Sequence, residues 1–504
     1  MNNRPAFSTV TLLPLLFGLA VGLGLVAVLG GLPTKWGVFL VVGSLFVSML
    51  LLVGAFSTHL RGSMLFFAVL GLPTFYSITF QFRELIPFTV LANGFPVSIT
   101  DVFLAPLVIG WLYRLMTDPR QRQISFPKDW MWIIVLLLLV NFASCLFVSR
   151  IPFFSLSMLY LQAKMYFIMF FLANYLQDEH DFRVMGYAFA AVLLFEGLVV
   201  MEQRVLGVIF TQENMSRAIG IRSLVAGGGG TIFRAAGTLS HPNDMAMYIN
   251  LCLPLVAFMY AIETKLLRKI YLLSCILIGV YALMSSGSRG AWVGMGVGFA
   301  AGIFLWMRKQ GRNPVVGMSI MFMSVVVVFT ALFFGSATFH DRIIKGDKEA
   351  AQVRIPLMEV ATEMIQANPA MGVGLNLYTR EMVPYDRTNY MVTSSFPEPV
   401  HNTFLLVAAE TGLPAMALLS VFIILAFKKS IRVAKEGEGI VSAIGLGVLT
   451  SLICWLIHNQ VNHSTVYGDS TFYVLLGMLT AAINYLNRQQ LNELEALAPP
   501  NNRA

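Results

Sequence analysis

The sequence is poor in charge. Asp, Glu, Lys and Arg make up only 12% of its 504 residues, about half of the ~25% found in soluble globular chains. So little charge does not cover a water-facing surface of this size, which excludes a soluble enzyme or a soluble binding module. Cysteine is scarce as well. The four present, Cys145, Cys252, Cys275 and Cys454, all lie in apolar runs and read as packing residues, not as disulfide partners or metal ligands. No acidic cluster has metal-ligand spacing, and the seven histidines lack it too, so no metal or other cofactor is expected. No basic patch is interleaved with aromatic residues, so no nucleic-acid partner is expected. We find no internal repeat and no soluble domain.

What is present is apolar length. Residues of the AVILMFWYC set make up 57% of the chain, and runs such as Val10 to Gly30 and Trp130 to Val148 are long enough to cross a bilayer as helices. The first is too long for the apolar region of a signal peptide and reads as a retained helix. About 14 spans are expected, near 8–30, 36–56, 63–80, 98–116, 130–148, 155–176, 184–206, 243–262, 267–285, 289–308, 315–335, 402–427, 439–459 and 469–486. The expected architecture is an all-α polytopic transmembrane bundle of 12–14 spans, a single integral membrane domain over 1–504.

Orientation follows from four short basic loops, at 114–128, 265–269, 308–312 and 428–435. All four fall on one side, the cytoplasm by the positive-inside bias, with both termini. The net charge of +8 therefore reports topology. Two long segments, 207–242 and 336–401, fall on the opposite, external side, where long loops carry function. In the second, Val353, Leu357, Val360, Ala361 and Met364 recur at helical spacing and predict an amphipathic helix. A turn at Asn368–Pro369 and a glycine-containing stretch through Gly374 follow it. The four-glycine run 227–230 reads most simply as a mobile loop, and without a strand before it is not read as a phosphate cradle.

The external side gathers an unusual polar set. Arg150 follows the fifth span, Arg217, Arg222 and Arg234 lie in the first long loop, and His241 comes just after them. Arg289 sits in a tight turn, Arg354 on the amphipathic helix, and His401 at the start of a span. The positive-inside bias disfavours arginine in short external turns, so Arg150 and Arg289 need a reason, and a bound anion is one. Plainer readings stand beside this. Arg289 could cap helix carbonyls, Arg354 could snorkel, the loop arginines could be solvated, and His401 and His241 could cap helices. His458 and His463, which flank the last external turn, read as structural. Lys164 and Glu196 fall inside adjacent expected spans, where unpaired charge is costly. They either pair with each other or line a polar cavity.

From about 234 to 427 the sequence resembles the bacterial O-antigen ligase and O-antigen or exopolysaccharide polymerase superfamily. The stretch from Arg234 to Asn243, the turn Ser288-Arg289-Gly290-Ala291-Trp292, Arg354 with the helix and Gly374 stretch after it, and His401–Asn402 with Gly412 are similar to its motifs, in order. Pro414 departs from the small residues common at that point. The resemblance implies a metal-independent, inverting glycosyltransferase. It would move a glycan from undecaprenyl pyrophosphate to an acceptor hydroxyl at the outer face of the bacterial inner membrane. His401 would be the base and Arg289 would stabilise the leaving pyrophosphate. Arg234, Arg354 and His241, in or beside those motifs, would help bind the donor, and Arg222 and Arg150 join them as candidates by their external position alone. The partners would be the lipid-linked donor, a glycan or lipid-linked acceptor, and membrane lipid. The long external loop and the many spans favour a repeat-unit polymerase over a ligase acting on lipid A-core. The rival of another class is a lipid-linked oligosaccharide flippase, against which stand the lack of a repeat and the one-sided polar set.

Overall fold

The computed structural model describes residues 58–73, 77–85, 90–117, 124–206, 222–226, 230–239, 241–335, 340, 348–388, 391–462 and 470–497. The first two expected spans, Arg217, His463 and most of the four-glycine run lie outside them. Helices dominate: α1 Thr58–Leu70, α2 Ile99–Thr117, α3 Lys128–Phe147, α4 Pro152–Tyr175, α5 Glu179–Leu206, α6 Pro242–Ile262, α7 Leu266–Ser285, α8 Arg289–Lys309, α9 Pro314–Gly335, α10 Lys348–Ala367, α11 Thr403–Glu436, α12 Gly439–His458 and α13 Ser470–Leu497. Among the described residues, nine of these are long and apolar enough to cross a membrane, and the chain is a multi-pass membrane protein. Such helices satisfy their own backbone groups, which lipid does not.

The expected third span, 63–80, is cut short. Helix α1 ends at Leu70, ahead of Pro73, and residues 77–80 form a strand, β1, that pairs with β2, Phe95–Ser98. Helices α1 and α2 make a compact unit of their own, joined by a hydrogen bond from the Thr100 hydroxyl to the Ala68 carbonyl (3.0 Å) and by stacked Phe67 and Phe103.

In the main unit α12 is the central helix, packed against α6, α8 and α11. Small residues set these contacts. Gly290, Gly294, Gly298 and Gly302 recur every fourth residue along one face of α8. A Cβ on Gly294 would lie 2.9 Å from the Cys454 carbonyl oxygen, and one on Gly298 2.6 Å from the Cys454 sulfur. This stripe lets the two backbones approach closely, as membrane helices do without a hydrophobic driving force. Elsewhere the indole of Trp130 on α3 is wholly buried and donates to the Phe422 carbonyl of α11. Tyr166 of α4 packs edge-on against Tyr473 of α13. The Lys309 ammonium, at the end of α8, donates to the Ala434 and Gly437 carbonyls and the Ser442 hydroxyl, and so fastens the α11–α12 turn.

The other end of the bundle, where α7 and α12 finish and α6, α8 and α11 begin, carries a cap. Helix α10 lies there with its expected apolar face inward. Leu357, Val360, Ala361 and Met364 are buried with Val373, Tyr378, Met382 and Val400 against Leu406 and Ala409 of α11. Each large buried side chain contributes about 1.5–3 kcal/mol, so the cap has a core of its own. Beyond α10, Asn376 binds the Leu91 and Ala92 amides and the Ala92 and Phe154 carbonyls, tying the cap to the β1–β2 hairpin segment and to α4. The Asp386 carboxylate takes four hydrogen bonds from Thr388 and Thr393. Although burial opposes it, those bonds hold Asp386 below the usual carboxylate range.

The cap meets α11 at a break. Gly412 has φ +87° and ψ 170°, a conformation open to glycine and strained for other residues. Pro414 has no N–H, so the Glu410 carbonyl has no partner in its own helix. The orphaned carbonyls of Ala409 and Glu410 instead accept from the Val373 and Gly374 amides, both at 2.9 Å, and the Leu413 amide donates to Pro369. The proline that departs from the family pattern thus opens the helix to the cap.

Lys164 and Glu196 do not pair. The Lys164 ammonium donates to the Pro96 carbonyl at 3.0 Å, and both Glu196 oxygens bind Thr238. Backbone groups of the capped end lie within reach of each, and these, rather than the opposite charge, take up the buried polar atoms.

Candidate active site

The turn from Ser285 to Trp292 is built by its neighbours. Ser286 and Ser288 are buried. The Arg234 guanidinium, also buried, donates through Nε to the Ser286 carbonyl (2.6 Å) and through Nη2 to Asn243 Oδ1 (2.7 Å). The Ala235 amide donates to the Ser285 carbonyl. Arg234 therefore links the second strand of a hairpin, β3 Arg222–Ala226 with β4 Gly230–Arg234, to the first turn of α6. Its five-donor fork suits this bridging.

Ser288 is the N-cap residue of α8, yet its hydroxyl does not cap the helix. It lies 3.3 Å from His458 Nε2 instead. Gly290 makes room: a Cβ there would lie 2.6 Å from Val461 and 3.5 Å from the His458 ring. The Ala291 carbonyl accepts from Asn250 of α6. Arg289, between Ser288 and Gly290, is exposed, and among the described residues no hydrogen bond or ion pair engages its guanidinium. The capping reading of Arg289 is thereby removed. A cation in the first turn of a helix opposes the macrodipole, and α8 has no acidic residue there. The local field is positive and suits an anion.

The start of α11 and the end of α12 are joined side by side. Asn402 caps α11, accepting from the Phe404 and Leu405 amides, so the cap role weighed for His401 belongs to its neighbour. The Thr403 hydroxyl donates to Asn459 (2.7 Å), the Thr403 amide to the Asn459 carbonyl, and Asn402 to Gln460. This pairing sets His401 and His458 at adjacent helix ends. Burial first, and then the positive charge of Arg354, push His401 down to about 4, against a hydrogen bond to the Pro399 carbonyl. At neutral pH its ring is uncharged. His458, at the end of α12, is fully buried beside the Ser288 turn.

The structure thus brings together Arg234, His241, Arg354 and His401, with Arg289 at the rim beside Ser288. His241 spends one ring nitrogen on a cap, its Nδ1 accepting from the Asn243 amide. Arg150 points elsewhere: it is largely exposed and lies 3.6 Å from Glu381. Arg222 faces Arg234 in the strand register, but its side chain lies outside the described residues. Sequence reading did not anticipate the contact of Ser288 with His458, and its reading of His458 as structural agrees with the ring's full burial. The four-residue glycine spacing on α8 signals a closely packed neighbouring helix, and the structure identifies that neighbour as α12. Among the described residues, no three His, Cys, Asp or Glu side chains cluster as they would around a metal.

Residues 273–420 match the family model described as O-antigen ligase. The match supports the resemblance to the O-antigen ligase and polymerase superfamily, and it points to a membrane glycan-handling enzyme of ligase or polymerase type. It spans the Ser288 turn, α10, the cap and the broken start of α11, whereas Arg234, His241 and His458 lie outside it. No curated protein matches the chain.

Proposed function

We propose that the protein is a membrane glycosyltransferase that moves a glycan from undecaprenyl pyrophosphate to an acceptor sugar hydroxyl, working as a repeat-unit polymerase. The observation that carries this reading is the convergence of Arg234, Arg289, Arg354 and two histidines at one end of an apolar bundle. A pyrophosphate leaving group develops negative charge, which preorganised guanidinium groups and the α8 N-terminus stabilise. The departing lipid pyrophosphate is a competent leaving group, so no covalent enzyme intermediate is required. A single displacement inverts the anomeric carbon. His401 accepts the proton of the attacking hydroxyl.

The setting of His401 makes the order of binding matter. Beside Arg354 its ring is a weak base. A bound pyrophosphate offsets that positive charge, so the donor strengthens the base that the acceptor then uses. The active end faces the periplasm in this reading, opposite the basic loops.

One observation favours the second reading, a ligase acting on lipid A-core: the matching family model is described as O-antigen ligase. The experiment offers purified protein an undecaprenyl-pyrophosphate-linked glycan, with and without lipid A-core. A ladder formed from donor alone supports the polymerase, and a single addition that depends on lipid A-core supports the ligase. Movement of intact donor across a vesicle membrane without transfer would identify a flippase. EDTA should leave transfer unchanged.

A further inference from the structure

Two polar side chains inside helix α5 are used by neither reading. Glu196 and Gln203 are both fully buried, seven residues apart and so on one face of the helix. Both reach out of α5 to a single four-residue turn, 235–238. The Thr238 hydroxyl and amide each donate to a different Glu196 oxygen, the amide at 2.9 Å. Gln203 Oε1 accepts from the Ala236 and Gly237 amides at 3.1 and 2.9 Å, and its Nε2 donates to the Gly237 carbonyl at 2.7 Å. Gly237 has φ +60°, and a Cβ there would lie 2.2 Å from a Glu196 oxygen.

A buried carboxyl group gains nothing from an apolar helix core, where its desolvation is costly. Among the described residues, the hydrogen bonds that offset this cost both come from Thr238 of the turn. That turn follows directly on Arg234, whose guanidinium holds the Ser286 carbonyl and Asn243. The contacts run without a gap from Glu196 to Thr238, through the backbone to Arg234, and on to the turn that carries Ser288 and Arg289.

We infer that Glu196, with Gln203, is a positioning residue that fixes Arg234 and, through it, the Ser286–Arg289 turn. The inference rests on the proposed function only for its effect on turnover, so its test has a separate structural readout. Glu196→Gln preserves the arrangement. The amide oxygen accepts from the Thr238 amide, and its NH₂ donates to the Thr238 hydroxyl, which turns toward the Pro73 carbonyl at 3.4 Å. Glu196→Ala and the milder Thr238→Val break it.

Hydrogen exchange on the full-length protein in detergent reads the first half. In Glu196→Ala, or in Thr238→Val if that variant does not fold, amides 235–239 and also 285–290 should lose protection, and Glu196→Gln should match wild type. Donor transfer reads the second half. kcat/KM should fall about 10²-fold, the scale of a slightly misplaced binding group, with the fall carried by KM for the donor and rescued in Glu196→Gln. Loosening confined to 235–239, with 285–290 unchanged, would overturn the inference. So would a folded Thr238→Val protein with wild-type exchange and kinetics. A wild-type protein that transfers no glycan would refute the proposed function and leave the exchange result standing.

Discussion

The Ser288 hydroxyl lies 3.3 Å from His458 Nε2, although Ser288 occupies the N-cap position of α8. A serine at that position ordinarily binds its own helix amides. Diverted to His458, it leaves those amides without its cap. We predict that His458→Leu releases the hydroxyl onto the helix and raises KM for the donor roughly 10- to 100-fold, the worth of a hydrogen bond to a charged group. His458→Gln, which restores a polar contact, should recover much of that loss. Unchanged donor KM in a folded His458→Leu protein would show that the contact serves packing alone.

The acid limb of the rate profile should lie low. His401 sits at about 4 because burial and Arg354 disfavour its charged form, so the neutral ring persists well below the usual histidine range. kcat/KM, which reports the free enzyme, should hold from neutrality and fall only as pH drops through about 4. In kcat the same limb should move to higher pH, because bound pyrophosphate offsets Arg354. His401→Ala should lower turnover by about 10²–10⁴-fold. A folded His401→Ala protein with near wild-type turnover would remove the base from the mechanism.

Arg289 separates charge from shape. If its planar fork holds a pyrophosphate, Arg289→Lys should lose most activity, and Arg289→Ala should lose about 10²–10³-fold. Both should fold, because the side chain is exposed at the start of α8. Binding of inorganic pyrophosphate, measured by calorimetry on the same proteins, should weaken in parallel. Equal binding by all three would place the anion elsewhere.

Gly412 is a structural test. At φ +87° a Cβ would lie 2.4 Å from the Ala370 carbonyl oxygen. Gly412→Ala should lower the unfolding temperature in detergent, with backbone strain alone costing about 1–3 kcal/mol, and should loosen the cap over 369–378 to protease. A variant as stable and as resistant as wild type would mean that the break is not needed to seat the cap.

Orientation is open to reporter fusions. An enzyme active only outside the cytoplasm should work when fused near Asp386 and be silent near Lys309. The reverse pattern would turn the molecule over and put the arginine cluster on the cytoplasmic side.

Most spans could be read from the sequence because lipid demands continuous apolar length, and α2 to α9 begin and end within a few residues of the expected bounds. Helix α10 was legible for a related reason, since the period of Leu357, Val360, Ala361 and Met364 reports a single buried face. The hairpin after α1 was not, because residues 77–80 are as apolar as a span and only Pro73 hints at the break. Glu196 and Lys164 looked like partners by charge and depth. Their actual partners, Thr238 and Pro96, are backbone and hydroxyl groups far away in sequence, with no charge pattern to announce them. His401 and Arg289 were singled out by position, a histidine at the outer start of a span and an arginine in a short external turn. The diversion of Ser288 to His458 depends on how closely α8 meets α12, which no single segment encodes.

That meeting surface has an evolutionary consequence. Ordinary helix interfaces adapt by exchanging one side chain for another of similar bulk. The face of α8 toward α12 offers glycine at 290, 294, 298 and 302, so there is nothing to exchange, and any replacement adds volume where none exists. A single methyl group there acts as a wedge and tilts the end of the helix that carries Arg289. Change in acceptor preference among related proteins should therefore accumulate in the cap and along α10, where side chains can be traded, while the α8–α12 wall stays frozen. Comparing substitution rates between these two surfaces in close relatives would measure the contrast.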